Sequence, residues 1–196
     1  MNKKRAIDLN AGLGGRVYAL KKAGFDIIAA IDIDEENCKI MASWLGKSKV
    51  IQTDLVDINP KDMPEVDLIA GKFVQQSYSN VEEKAVSKNV NMTIYDIIAE
   101  KRPALFLLEV PVRSITARKY GLDDYLQLFS VLGYRISYRV YDEMNFSGFP
   151  MIGKQGYFIG ERGDLKNRFD FPNPLYYEAV KKDFLETPES IDDWYR

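Results

Sequence analysis

The stretch Ile7-Asp8-Leu9-Asn10-Ala11-Gly12-Leu13-Gly14-Gly15 decides the fold. A short apolar strand, Ala6 to Leu9, runs into a glycine turn; Val17 and Leu20 then recur at helical spacing, with Ala23 one turn on and Gly24 stopping the helix. Glycines after a first parallel strand let the backbone approach a ligand at the switch point of a doubly wound sheet. The spacing is not the dinucleotide fingerprint G-x-G-x-x-G, because Gly14 is followed directly by Gly15 and then by Arg16.

Outward from this turn, apolar runs alternate with helical patterns. Asp26 to Ile31 is a nearly continuous apolar run, as a buried parallel strand should be. Asp34 caps a helix whose inward face carries Cys38, Met41 and Leu45, and Val50-Ile51-Gln52 and Val66 to Ala70 are the third and fourth strands. Between Gln76 and Asn89 a polar stretch without a clear period reads as a long loop. A helix over Met92–Ala99 precedes Pro103 and the most apolar strand, Ala104 to Val110. A further helix spans Asp123 to Leu132, and the strands Arg135–Tyr141 and Tyr157–Gly160 follow. Strands alternating with helices imply a parallel sheet covered on both faces.

Composition narrows the chemistry. The 196 residues carry 27 Lys+Arg against 29 Asp+Glu, a net charge of -2, so there is no global pull toward a phosphate backbone. With 46% hydrophobic residues the chain can bury a core. No histidine is present, which removes Ser-His and Cys-His nucleophilic pairs and nearly all zinc sites, so no metal site is expected. The single cysteine, Cys38, fits a reducing compartment and a core position. No apolar run is long enough to span a membrane, and Met1 to Leu9 is too short for a signal segment, so a cytoplasmic location is expected.

The second strand ends in Ile31-Asp32-Ile33-Asp34, an acid where a ribose hydroxyl pair is usually held. Thr53-Asp54-Leu55 follows the third strand and offers a carboxylate and an apolar side chain to an adenine. Acids after strands two and three are the arrangement used for S-adenosylmethionine. A glycine turn with capping acids is also simply how doubly wound sheets are built.

Six stretches in the correct order resemble the C5-cytosine DNA methyltransferase family from its first motif to its eighth, over about residues 5 to 162. Ile7 to Gly15 is similar to D-L-F-A-G-x-G-G, Ala29 to Asp34 to the second motif, and Thr53-Asp54-Leu55 to the third. The resemblance implies a Rossmann-like α/β S-adenosylmethionine-dependent methyltransferase fold, doubly wound, with a mostly parallel sheet and one antiparallel strand near the end. It implies a cofactor site of Asp8, Ala11, Gly12, Leu13, Gly14, Gly15, Asp32, Ile33, Asp54 and Leu55, taking S-adenosylmethionine or S-adenosylhomocysteine. In it Asp32 would hold the ribose, Asp54 the adenine amino group and Leu55 the ring. Asn10 stands where the family has a phenylalanine against the adenine; losing that ring costs on the order of 1 kcal/mol and weakens affinity.

The nucleophile loop departs further. The family reads G-G-x-P-C-Q-x-F-S, and this chain reads Gly71-Lys72-Phe73-Val74-Gln75-Gln76-Ser77-Tyr78-Ser79. Gly71, Gln76, Tyr78 and Ser79 hold the register, so Val74 replaces the proline and Gln75 the catalytic cysteine. The family chemistry adds a thiolate to C6 of the ring, and an amide offers no such nucleophile. Leu107-Leu108-Glu109-Val110-Pro111 is similar to L-L-E-N-V-P, which makes Glu109 the glutamate that binds the flipped base and puts Val110 at the asparagine. Gly148, Pro150, Ile159 and Gly160 frame the eighth motif, where Met151, Gly153 and Gln155 replace its polar triplet and both arginines are gone.

The expectation is therefore a methyltransferase-like domain over 1–162 that is silent toward cytosine C5. A short appendage, 163–196, follows, with Phe169 to Pro174 similar to the family and a candidate helix over Leu175–Phe184, and no target-recognition domain. Such a chain would act as a non-catalytic subunit or regulator of DNA methylation, through a protein partner such as an active methyltransferase subunit or a second copy of itself. It would meet DNA weakly or through that partner. The loop Ser77–Asn91 reads as a solvated loop or as one entering a minor groove, and Arg113, Arg118 and Lys119 as a solvated face or a phosphate site. The alternative function is an active S-adenosylmethionine-dependent enzyme with another acceptor, needing no covalent thiol and using Glu109 as base. A decayed product with a retained core is the third reading.

Overall fold

The computed structural model describes residues 3–74, 81–112, 122–143, 153–166 and 168–174, with the backbone alone for 81–89 and 122. Seven strands are β1 (Arg5–Leu9), β2 (Asp26–Asp32), β3 (Val50–Gln52), β4 (Leu68–Lys72), β5 (Leu105–Pro111), β6 (Tyr134–Asp142) and β7 (Lys154–Arg162). Among the described residues the α-helices of more than one turn are α1 (Gly15–Lys22), α2 (Glu35–Leu45), α3 (Val81–Lys101) and α4 (Leu122–Val131).

The strands form one sheet in the order β3-β2-β1-β4-β5-β7-β6. β1 to β5 pair parallel, and β7 runs antiparallel to both β5 and β6. The expected doubly wound sheet with one reversed strand near its end is thus present. Alternation along β1 sends Ala6 to one face and Ile7 and Leu9 to the other, as a pleated strand buried on both sides requires. On one face Val17, Leu20, Cys38 and Met41 of α1 and α2 pack with Ala6, Ala30 and Ala70. On the other, Ile94, Ile97, Ile98, Tyr125 and Phe129 of α3 and α4 pack with Ile7, Ile31 and Phe106.

One expectation is corrected. The stretch 76–89 is not one long loop, because α3 begins at Val81 and runs through to Lys101, enclosing the shorter helix expected over Met92–Ala99. Its second half is anchored by Val90, Ile94, Ile97 and Ile98 in the core. Once a helix is nucleated there, each further residue adds a hydrogen bond, so a preceding run of Glu, Lys and Ala extends it without an apolar stripe. No helix among the described residues is long and apolar enough to cross a membrane.

Strand order reverses between β1 and β4, so the switch point lies at their carboxyl ends. Asn10 spans it: its side-chain amide donates to the carbonyl of Lys72 at 3.2 Å. Asn10 itself has φ 58, a left-handed conformation that asparagine tolerates better than most L-residues.

Candidate functional site

The glycine turn divides by role. Gly14 has φ 89, and a Cβ there would stand 2.8 Å from Trp44 Cζ2 and 2.9 Å from Met41 Cγ, so this glycine lets α1 pack on α2. Gly12 has φ 60 and a Cβ there would meet nothing within 4 Å, and Gly15 is equally open. That open backbone leads into the amino end of α1, whose N-cap is Gly14 with no side-chain hydrogen bond. Ala11 is buried beneath it, its N–H bonded to the carbonyl of Ile31 at 2.9 Å.

Asp32, at the end of β2, is 4% exposed, and its carboxylate fixes the turn. Oδ2 accepts from Gly12 N at 2.7 Å, and Oδ1 accepts from Asp34 N at 3.0 Å and Asn37 Nδ2 at 3.2 Å. A carboxylate offers about four lone-pair sites, which leaves capacity on Oδ2 for a hydroxyl. Leu13 and Ile33 flank it, 64% and 60% exposed. Open backbone, a carboxylate and two exposed apolar side chains fit a ribose with an apolar ring beside it. Of the third-motif pair, Asp54 accepts from Val56 N at 3.1 Å, and Leu55 is packed into the core at 4% exposure. The exposed apolar side chains beside the turn are Leu13 and Ile33.

Asp8 and Glu109 are brought together by a residue that sequence reasoning gave no role. Arg16, in the first turn of α1, donates from Nε to Asp8 Oδ1 at 3.0 Å and from Nη2 to the Asn10 carbonyl at 2.7 Å. Its Nη1 lies 2.9 Å from Glu109 Oε2 on β5, and Lys72 Nζ approaches the same oxygen at 3.9 Å. Burial pushes Asp8 up to about 6 although Arg16 beside it pulls the other way, and Asp8 Oδ2 has no hydrogen-bond partner among the described residues. Burial works against the charge on Arg16, but Asp8 and Glu109 outweigh it and raise the guanidinium pKa above its ordinary value. The signal for Arg16 was its place directly after two glycines; its partners are visible only once β1 and β5 are aligned.

Tyr157 pairs with Glu109 in the sheet register. Burial, with Glu109 and Glu143 nearby, pushes its hydroxyl up to about 12, so it stays a neutral phenol. Val110 is fully buried where the family has a polar side chain. On β7, Gln155 Nε2 is buried without a hydrogen-bond partner among the described residues, and Gly153 precedes the strand.

A second residue without a sequence signal is Asn91 of α3, 2% exposed. Its Oδ1 accepts from Val74 N at 2.9 Å and its Nδ2 donates to Val74 O at 3.2 Å. Both backbone groups of the residue before Gln75 are thereby held. Gln75 to Ser79, the Arg113, Arg118 and Lys119 cluster, the 148–152 part of the eighth motif and the candidate helix over 175–184 lie outside the described residues. Among the described residues no group of three Asp, Glu or Cys side chains is placed to hold a metal.

Known proteins resemble this chain in sequence and fold. The family model for C-5 cytosine-specific DNA methylase matches residues 4–195. The chain is 26% identical to the type II methyltransferase M.HhaI of Haemophilus parahaemolyticus over 195 residues, covering 96% of this chain and 58% of that protein. It is 26% identical to M.XorII of Xanthomonas oryzae pv. oryzae over 195 residues, 92% of this chain and 44% of that protein. The chain thus spans about half the length of the curated relatives it matches. Among solved structures, a DNA modification methyltransferase encoded within an E. coli prophage superimposes with a TM-score of 0.71 at 26% identity, over 86% of this chain and 49% of that one. The Dnmt2 methyltransferase of S. pombe shares the fold, with a TM-score of 0.69 at 18% identity over 85% of this chain and 51% of that one.

Proposed function

The chain belongs to the C-5 cytosine-specific DNA methylase family, and from that premise we propose that it binds an S-adenosyl nucleotide at the glycine turn without methylating cytosine at C5. In this reading it serves as a non-catalytic subunit or regulator of DNA methylation beside a protein partner. The family's relatives are methyltransferases, which implies use of S-adenosylmethionine. Gly12 and Asp32 would hold the ribose side of that group, with Leu13 and Ile33 against the ring. Affinity is reduced because Asn10, committed to the Lys72 carbonyl, supplies no aromatic face.

The observation that carries the silent reading is Gln75 at the nucleophile position, in a chain whose Asp32 is still built into the turn. An amide cannot add to C6 of cytosine, so C5 is never made nucleophilic enough to take a methyl group. The reading of an active enzyme with another acceptor needs a free base, and Glu109 is held by Arg16 at 2.9 Å. The pairing counts against that alternative.

The test is methyl transfer from S-adenosylmethionine to cytosine in duplex DNA by the purified chain. No incorporation is expected; robust transfer overturns the proposal.

A further inference from the structure

Glu109 is retained at the family's base-binding position, and what faces it sets what that carboxylate can take. That oxygen chemistry is already answered from within the chain. The guanidinium of Arg16 presents an N–H donor to Glu109 Oε2 at 2.9 Å, the same kind of group that the amino edge of a cytosine would present. We propose that Arg16 is a specificity-determining residue that occupies the base-binding side of Glu109 and so excludes a nucleobase from this pocket. The inference rests on the family reading of Glu109 as the base-facing glutamate, and deepens it.

Three features make the occupant hard to displace. The Arg16 side chain is 10% exposed and Glu109 18%, so their charges meet in a poorly solvated place. Opening the pair leaves a half-buried cation facing a half-buried acid with one bond lost, which is costlier than opening an exposed pair. A neutral amine offers that carboxylate a hydrogen bond without the opposite charge, in exchange for an ion pair. Finally, the guanidinium is fixed from behind by Asp8 Oδ1 and by the Asn10 carbonyl, and Asn10 is tied to Lys72. The glycine turn, the end of β4 and the end of β5 are therefore one unit. Replacing the amide at position 75 by a thiol would leave this second obstacle in place.

The experiment is a titration of the full chain with deoxycytidine monophosphate, with S-adenosylhomocysteine present, read by saturation transfer to the pyrimidine H5 and H6 protons. The unaltered chain is expected to give no transfer at millimolar nucleotide. Arg16→Met is expected to bind at least about tenfold more tightly, and the gain is expected to vanish in Arg16→Met/Glu109→Gln. Because Arg16→Met leaves Asp8 without its partner, Asp8→Asn/Arg16→Met is measured beside it. Nucleotide binding by the unaltered chain that Glu109→Gln abolishes overturns the proposal. So does a folded Arg16 variant that gains nothing, or a gain that survives Glu109→Gln. Failure of the unaltered chain to bind S-adenosylhomocysteine overturns the cofactor reading separately, and the nucleotide titration without it still decides the role of Arg16.

Discussion

The guanidinium of Arg16 lies 2.9 Å from the carboxylate of Glu109 and 3.0 Å from that of Asp8, so one α1 side chain joins the ends of β1 and β5 across β4. Breaking a buried ion pair from one side strands a charge and costs several times what an exposed pair contributes. Arg16→Met is expected to destabilise the chain by about 3 kcal/mol in urea denaturation. Asp8→Asn/Arg16→Met is expected to lose less than Arg16→Met alone, a coupling that marks direct interaction. Additive losses would contradict it.

The same cluster gives stability a pH dependence. Asp8 has its carboxyl pushed from the ordinary 3.8 up to about 6 by burial. The folded chain therefore holds a proton that the unfolded chain has released. Asp8 contributes stability that is fully present below 3.8 and lost as pH rises through about 6, amounting to about 3 kcal/mol over that window. Asp26, Asp67 and Asp164 are held below the usual carboxylate range by hydrogen bonds, to Lys49, to the Arg5 N–H and to Arg162 respectively. Their contributions are lost on acidification, below that window. The difference between unaltered chain and Asp8→Asn in denaturation across the window isolates the Asp8 effect, and a flat difference would contradict it.

Gly160 faces the ring of Phe106 across the β5–β7 pair, and a Cβ at Gly160 would overlap Phe106 Cε1 and Cζ. Phe106 has no room to swing, since its centroid stands 4.5 Å from Phe129 and 5.1 Å from Tyr134. Gly160→Ala is expected to cost about 3 kcal/mol, at the upper end for overpacking. Adding Phe106→Leu is expected to recover part of the loss, and a double variant no more stable than Gly160→Ala would show that the clash is not the cause.

Asn91 holds Val74 through both its N–H and its carbonyl. Asn91→Ala leaves two backbone groups without those partners and is expected to cost about 2 kcal/mol. Asn91→Asp keeps the acceptor but sets a carboxylate against the Val74 carbonyl, and is expected to be no better than alanine. Chemical denaturation of both variants checks the order.

Much of this architecture is legible along the chain because it is written in local terms. The apolar run to Ile31 reads as a buried strand, Asp34 as a cap, and the glycines after Leu9 as the turn at the switch point. Asp34 indeed accepts from Asn37 N at 2.8 Å. The first half of α3 was not legible, because its helical state follows from the packing of Ile94, Ile97 and Ile98 further along. Leu55 reads only as an apolar side chain after the third strand; a leucine in a short 3-10 turn faces inward or outward by tertiary packing alone, and here it packs into the core. The roles of Arg16 and Asn91 depend on partners brought near by the sheet and by α3, which no spacing in the sequence announces.

The S-adenosyl site proposed around Asp32 is open to calorimetric titration of the purified chain with S-adenosylhomocysteine. Micromolar binding is expected, weakened at least about tenfold by Asp32→Ala, a loss of about 1.4 kcal/mol. No heat at millimolar ligand, or affinity indifferent to Asp32→Ala in a folded variant, would contradict it.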